Sequence, residues 1–247
     1  MKVLILAGGY GTRLAAIAKN TAKPLLKVGN KSIIDHTLDH LEKLSPKEVI
    51  VVTNDKFFKD FERWAAVHPL AKRFKIRVVN DGTKTNEERL GSIGDINFVI
   101  NNVNLDDDLL VVGGDNIFDF NIDAYVAVAQ KRAGQVTVGV YDIKKKEEAT
   151  IFGVLELNKD KKVVSFEEKP AQPKSSLISM CLYYLPKKTL GLIGDYLVQS
   201  GKSDRAGDYI IWLIKKAEVY GFEFSGRWFD IGSIESYNEA QQAYANK

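Results

Sequence analysis

Five charged residues stand where this chain turns beside glycine, proline or aromatic residues: Arg13, Lys23, Asp115, Lys169 and Asp230. Arg13 follows Gly8, Gly9 and Gly11 in the stretch ILAGGYGTRL, residues 5–14. Glycine allows positive φ and close backbone approach, and arginine adds a permanent fork-shaped cation. Such a loop can hold a phosphate on successive N–H groups; it serves equally as a tight strand-to-helix turn with a solvated arginine. Lys23 precedes Pro24 in TAKPLL, and Lys169 precedes Pro170 in FEEKP. Residues before proline are pushed to extended backbone, so both lysines are expected to project from non-helical loops, although a solvated surface charge is the ordinary role of a lysine. Asp115 follows an apolar run and two glycines in LLVVGGDN. It reads as a turn residue or as a hard oxygen ligand for Mg²⁺. Asp230, in WFDIGS, reads as an anion at a helix start.

Familiar glycine motifs fail on the letters. A P-loop closes on Gly-Lys-Ser/Thr, and here Gly11-Thr12-Arg13 stands instead. A dinucleotide fingerprint begins at Gly9-Tyr10-Gly11, but Leu14 occupies the place of its third glycine. His36 and His40 lie four residues apart without a third ligand, and His68 stands alone, so no zinc site is expected.

The elements that must position these residues follow from periodicity. Val3–Ala7, Val49–Thr53, Ile76–Val79 and Leu109–Val112 read as buried strands. Between them, Ser32–Leu44 places Ile33, Ile34, Thr37, Leu38 and Leu41 on one helical face, with Ser32 as N-cap and Asp35 favouring the start. Phe57, Phe58, Phe61 and Trp64 form a second apolar stripe, and Ile93, Ile96 and Ile100 a third. Strands alternating with helices predict a mostly parallel sheet, and ligands of such sheets bind beyond the carboxyl ends of the strands. The second half is richer in strands: Val136–Tyr141, Gly153–Leu157, Val163–Glu167 and Leu177–Leu185, with NKDKK at 158–162 as a hairpin tip. DIKKKEEAT, 142–150, reads as a solvated loop, and helices are predicted at Lys187–Gln199, Asp208–Glu218 and Ile234–Tyr244.

Composition narrows the classes. With 35 basic and 32 acidic residues the formal charge is only +3, too weak and too interspersed for a nucleic-acid surface. The single cysteine, Cys181, excludes an internal disulfide and fits a reducing, cytoplasmic setting. The first apolar run is five residues long, no signal peptide is expected, and no run approaches the ~20 residues of a membrane span.

In chain order these pieces resemble one family. LAGGYGTRL followed by KPLLKVGNKSIIDH is similar to the opening of the sugar-1-phosphate nucleotidyltransferases, enzymes that combine a nucleoside triphosphate with a sugar 1-phosphate to give an NDP-sugar and pyrophosphate. The likeness continues through LGSIGD at 90–95, GGD at 113–115, FEEKP at 166–170 and WFDIGS at 228–233. It implies a Rossmann-like three-layer α/β/α fold with a mostly parallel mixed sheet. It further implies one nucleotidyltransferase domain over 1–247, nucleotide-binding in its N-terminal half and sugar-phosphate-binding in its C-terminal half. By the same resemblance Leu6, Ala7, Gly8, Gly9, Gly11, Thr12 and Arg13 hold the triphosphate, and Asn86, Gly91 and Ser92 hold the nucleoside. Arg13, Lys23 and Asp115 are the catalytic set; Asp115 and Asp230 hold Mg²⁺; Gly153, Glu168 and Lys169 contact the sugar phosphate. A phosphate oxygen is already a competent nucleophile, so this chemistry asks for in-line placement and charge screening rather than a general base.

The chain also departs from the family. Asn86 stands where many members read the base with glutamine, and GSIGD replaces the more usual GLA or GTA. The base is therefore open among dTTP, UTP, GTP and CTP, with the first two favoured on overall pattern. AAIAKNTA lacks the proline common before the Lys-Pro element. Cys181 replaces a small residue near the sugar, either lining the pocket or serving as a buried small hydrophobe. With only a short segment after WFDIGS, the β-helix acetyltransferase domain of bifunctional relatives is not expected. Relatives are often dimers or tetramers, which allows a homo-oligomer. Competing readings are a cytidylyltransferase acting on a non-sugar phosphate such as phosphocholine and a catalytically silent nucleotide-sugar-binding regulator; the regulator would be expected to lose Arg13, Lys23 or an aspartate. An NAD-dependent oxidoreductase is disfavoured at Leu14.

Overall fold

The β-branched runs near the N-terminus become parallel strands in a computed structural model that describes residues 1–18, 20–132, 134–201 and 205–245. Lys2–Ala7 pairs with Glu48–Thr53, and Glu48–Thr53 with Lys75–Asn80, in register Val3↔Val49 and Val49↔Ile76. All six residues of the middle strand are buried, as a strand covered on both faces requires. These strands belong to a unit formed by Met1–Leu90, Val112–Ile122 and Gly226–Lys247; a second unit comprises Gly91–Val111 and Asp123–Ser225. The C-terminal segment therefore folds with the N-terminal strands rather than with its neighbours in sequence.

In the first unit, the helix Ile33–Leu44 starts as expected. Ser32 accepts from the Asp35 N–H and Asp35 accepts from the Ser32 N–H, a capping box that satisfies two otherwise orphaned donors. The helix Phe58–Val67 follows the aromatic stripe, with Phe57 at its N-cap. Because the strands are parallel, their carboxyl ends deliver the segments after Ala7, Thr53 and Asn80 to one end of the sheet. The Gly114 N–H donates to the Leu6 carbonyl at 2.9 Å, which brings the residue before Asp115 to that end as well. Gly114 must be bare: a Cβ there would lie 2.6 Å from the Leu6 oxygen and 3.1 Å from Pro24. At the amino end, the buried Glu48 carboxylate meets Lys2 at 2.9 Å, Lys75 at 3.1 Å and Arg77 at 2.8 Å. Burial alone would push its carboxyl up; the three cations outweigh that and hold it low.

The second unit carries a mixed arrangement. Val136–Asp142 pairs antiparallel with Leu177–Leu185 and parallel with Val219–Phe224, while Gly153–Leu157 and Val163–Glu168 form the expected hairpin about 158–162. Helix Gly91–Asn102 buries Ile93 and Ile96. Fold class, an α/β arrangement with a mixed sheet and parallel central strands, is as the sequence predicts.

Several local expectations need correction. The helix read at Asp208–Glu218 ends at Leu213, and Val219–Phe224 is a strand. The predicted Lys187–Gln199 helix is a 3₁₀ turn, Lys187–Thr189, followed by Gly191–Ser200. The charged loop after Asp142 contains a 3₁₀ segment, Lys146–Ile151, pinned by buried Ala149. Neither proline-adjacent lysine is extended. Lys23 opens the 3₁₀ turn Lys23–Leu25, and Lys169 has φ +49°. The cause at Lys169 is tertiary: its N–H donates to the Phe152 carbonyl at 3.0 Å, holding the residue in a left-handed bend.

Candidate active site

Side chains from neighbouring strands fix the glycine loop. Thr53 Oγ1 donates to the Ala7 carbonyl at 3.1 Å, Asn54 Nδ2 to the Gly8 carbonyl at 3.0 Å, and Tyr10 Oη to the Thr83 carbonyl at 2.9 Å. The last bond ties the loop to the segment leading to Asn86. Gly11, at φ +63°, caps the 3₁₀ turn Thr12–Leu14 in a conformation that favours glycine. Buried Leu14 anchors the far end among Leu26, Val28, Ile33, Ile117 and Ile231. Gly9 differs. Its φ is ordinary, it is exposed, and a Cβ there would meet nothing within 4 Å. The protein's own packing does not require glycine at this position.

The charged residues of this unit gather around Asp115. Lys23 Nζ donates to Asp115 Oδ2 at 2.6 Å, and Asn116 Nδ2 donates to Oδ1 at 3.0 Å. The Asn116 amide is oriented in turn by Trp228, whose Nε1 donates to Asn116 Oδ1 at 2.6 Å. Burial would push the Asp115 carboxyl up, but Lys23 first and Arg13 further off prevail and hold it below the usual carboxylate range. Asp230 reaches the same place through a short antiparallel pairing of Asn116–Phe118 with Trp228–Asp230. Asp230 is the register partner of Asn116, and the Ile231 N–H donates to the Asp115 carbonyl at 2.9 Å. The exposed Arg13 flanks the same turn: a Cβ on Gly232 would lie 3.5 Å from Arg13 Nη1 and 3.7 Å from Asp230 Oδ2. The following helix, Ile234–Tyr244, is capped by Ser233 rather than by Asp230. That leaves the helix-start role to a serine.

The donor set fits a hard divalent cation. Asp115 and Asp230 offer two carboxylates, and no group of three or more His, Cys, Asp or Glu gathers at this site or at any other among the described residues. Mg²⁺ characteristically takes one or two carboxylates and completes its shell with phosphate and water. The histidines are committed otherwise: His36 Nε2 meets the Val28 carbonyl at 2.9 Å and His40 Nε2 the Phe118 carbonyl at 2.8 Å.

The second unit holds the other candidates. Glu168 closes its strand opposite Gly153, and Lys169 follows, exposed. The Glu168 carboxylate is half-buried, and among the described residues no hydrogen bond or ion pair reaches it. Burial pushes its carboxyl up, Asp208 adds to that, and Lys169 and Arg205 only partly oppose it. Gly91, at φ +76°, and Ser92 open the helix Gly91–Asn102. Asn86, Leu6 and Ala7 lie in the first unit, where Asn86 offers its carbonyl to Arg89 at 3.0 Å. Cys181 is half-buried on the strand Leu177–Leu185.

Sequence reading missed the residues that hold the loop, Tyr10, Thr53 and Asn54, and the Asn116–Trp228 contact that orients Asp115. The only signal available was polar residues directly after a buried strand, as in VIVVTN.

Among the described residues no helix is long and apolar enough to cross a membrane. The mixed sheet with parallel central strands agrees with what the chain is similar to. A glucose-1-phosphate thymidylyltransferase, so assigned, from Bacillus anthracis, solved in complex with sucrose, superposes with a TM-score of 0.81 at 25% identity, covering 100% of this chain and 96% of the other. A UDP-glucose pyrophosphorylase complexed with UDP-glucose superposes with a TM-score of 0.84 at 19% identity, covering 98% and 97%. The nucleotidyl transferase family matches residues 2–247, and this chain belongs to it.

Proposed function

We propose that this nucleotidyl transferase joins a nucleoside triphosphate to a sugar 1-phosphate, releasing pyrophosphate and an NDP-sugar, with Mg²⁺ as its metal. The observation that carries this reading is the cluster of Arg13, Lys23, Asp115 and Asp230 beside a glycine loop whose Gly9 is bare without structural need. Two cations and two carboxylates suit a reaction between polyanions. The 25%-identical structure named above is assigned as a glucose-1-phosphate thymidylyltransferase, which supports the sugar class and dTTP or UTP as the nucleotide.

The loop Gly8–Arg13 would seat the triphosphate, with Leu6 and Ala7 beneath it and Asn86, Gly91 and Ser92 toward the nucleoside. Arg13 and Lys23 would neutralise charge on the departing pyrophosphate. Asp115 and Asp230 would hold Mg²⁺, which when bound screens the phosphates. Lys23 and Asn116 keep the Asp115 carboxylate ionised and oriented before substrate arrives. Gly153, Glu168 and Lys169 would receive the sugar phosphate, completing one nucleotidyltransferase domain over 1–247. A cytoplasmic setting suits these substrates and the lone Cys181.

Pyrophosphate release with Mg²⁺ is the test, pairing dTTP, UTP, CTP, GTP and ATP with a panel of sugar 1-phosphates and with phosphocholine. Release that needs both substrates and disappears in Asp115→Ala supports the reading and identifies the base. Release with phosphocholine alone, or nucleotide binding without turnover, overturns it in favour of a cytidylyltransferase or a silent binder.

A further inference from the structure

Gly207 is the second residue of the helix Ala206–Leu213 and is buried. Its φ lies outside the left-handed region, so backbone conformation does not call for glycine there. Contact does. A Cβ built on Gly207 would stand 1.9 Å from Glu168 Oε2, 2.8 Å from its Cδ and 3.0 Å from Cε1 of Phe166. A Cβ on Gly153, the register partner of Glu168, would also lie near that carboxylate, 3.2 Å from Oε2. The carboxylate thus occupies a slot bordered by two glycine α-carbons.

The two glycines differ in what a methyl group would displace. At Gly153 it would strike the buried Phe166 ring at 2.5 and 2.8 Å, and a packed ring cannot swing clear. At Gly207 the first atom met is the tip of a flexible side chain, which can rotate away. The Phe166 ring, 3.0 Å away, would have to give by only a few tenths of an ångström, so substitution there would chiefly move Glu168. No hydrogen bond or ion pair among the described residues would hold the carboxylate where it is. Among the described residues the charged groups acting on it are Lys169 and, at the start of the Gly207 helix, the Arg205–Asp208 pair at 3.3 Å.

We propose that Gly207 is a positioning residue for the sugar phosphate: its missing side chain is the space that keeps the Glu168 carboxylate oriented to accept from substrate hydroxyls. This rests on the proposed function, so the test has one arm that needs no turnover. In that arm the Glu168 carboxyl is titrated by carbon NMR. Because burial holds it above the ordinary glutamate value, its titration is expected to fall toward that value in Gly207→Ala as the carboxylate swings to water. In the kinetic arm, KM for the sugar 1-phosphate is expected to rise on the order of tenfold or more in Gly207→Ala, with KM for the nucleotide unchanged. Adding Glu168→Asp, one methylene shorter, is expected to restore part of that loss, whereas Glu168→Asp alone weakens the enzyme. An unchanged Glu168 titration, equal rises in both KM values, or no rescue by aspartate would overturn the proposal. If Gly207→Ala does not fold, folding of the double variant supports the proposal, and failure of both assigns the glycine to helix packing and overturns it. A wild-type protein inactive with every pair sinks the functional reading, while the titration still decides whether Gly207 positions Glu168.

Discussion

Asp115 and Glu168 are both half-buried carboxylates, and the two units of this protein treat them in opposite ways. In the first unit, each oxygen of Asp115 has a donor, Lys23 on one and Asn116 on the other, and the group is held ionised. In the second, Glu168 has no such partner among the described residues, lies against bare glycine backbone, and resists ionisation through burial. A carboxylate already surrounded by donors is prepared for cations and for a fixed role in chemistry. One left without donors is prepared to receive them from a ligand. On the proposed function, the first unit would handle charge and the second would read hydroxyl groups.

The comparison breaks first at Asp115. Replacing it by asparagine keeps the shape and removes the charge facing Lys23; kcat is expected to fall roughly 10²- to 10³-fold, the scale of removing one preorganised electrostatic group. Steady-state pyrophosphate release measures this, and a change below a few-fold would place the chemistry elsewhere. A sharper contrast is Glu48, equally surrounded by cations but at the far end of the strands. Glu48→Ala is expected to cost about 2–3 kcal/mol in denaturant unfolding, the lower side of breaking a buried pair because Lys75 remains accessible to water, with kcat intact.

Acid separates the two carboxylates by sign. Asp115 is depressed in the folded state, so its contribution to stability is present above the unfolded carboxylate value of about 3.9 and is lost as pH falls through its lower folded value. Glu168 is raised, so its contribution is complete below the unfolded value of about 4.3 and is lost as pH rises through its higher folded value. Unfolding curves should therefore show Asp115→Asn losing least against wild type in acid, and Glu168→Gln gaining on wild type as pH climbs from about 4. Parallel curves would contradict the contrast. The smallest effect on the fold belongs to Gly9→Ala, where ordinary φ and open space predict a gain of about 0.4–1 kcal/mol from a stiffer unfolded chain. Nucleotide KM should rise nonetheless; thermal melts and kinetics on one preparation check both.

Much of this was legible in the letters because it is local. Ser32 and Asp35 announced the helix start, which the structure shows as a capping box, and VIVVT announced a buried strand. What stayed hidden depends on partners distant in sequence. Val219–Phe224 read as the tail of a helix, since only its pairing with Val136–Asp142 makes it a strand. The pairing that sets Asp230 beside Asp115 uses strands of three residues, too short to carry a period. Lys169 was expected to be extended, and one hydrogen bond to Phe152 overrode the influence of the following proline. Roles at the site were suggested by the order of motifs; the opposite states of Asp115 and Glu168 were not, because both come from neighbours brought in by the fold.

The most direct measurement is a two-substrate kinetic analysis of Lys23→Ala and Glu168→Gln side by side. The account predicts that Lys23→Ala loses kcat with little change in sugar-phosphate KM. Glu168→Gln should keep most of kcat and raise that KM about 10- to 100-fold, the value of a hydrogen bond to a charged group. Both variants altering the same parameter, or Glu168→Gln raising the nucleotide KM instead, would contradict the division of labour between the two units.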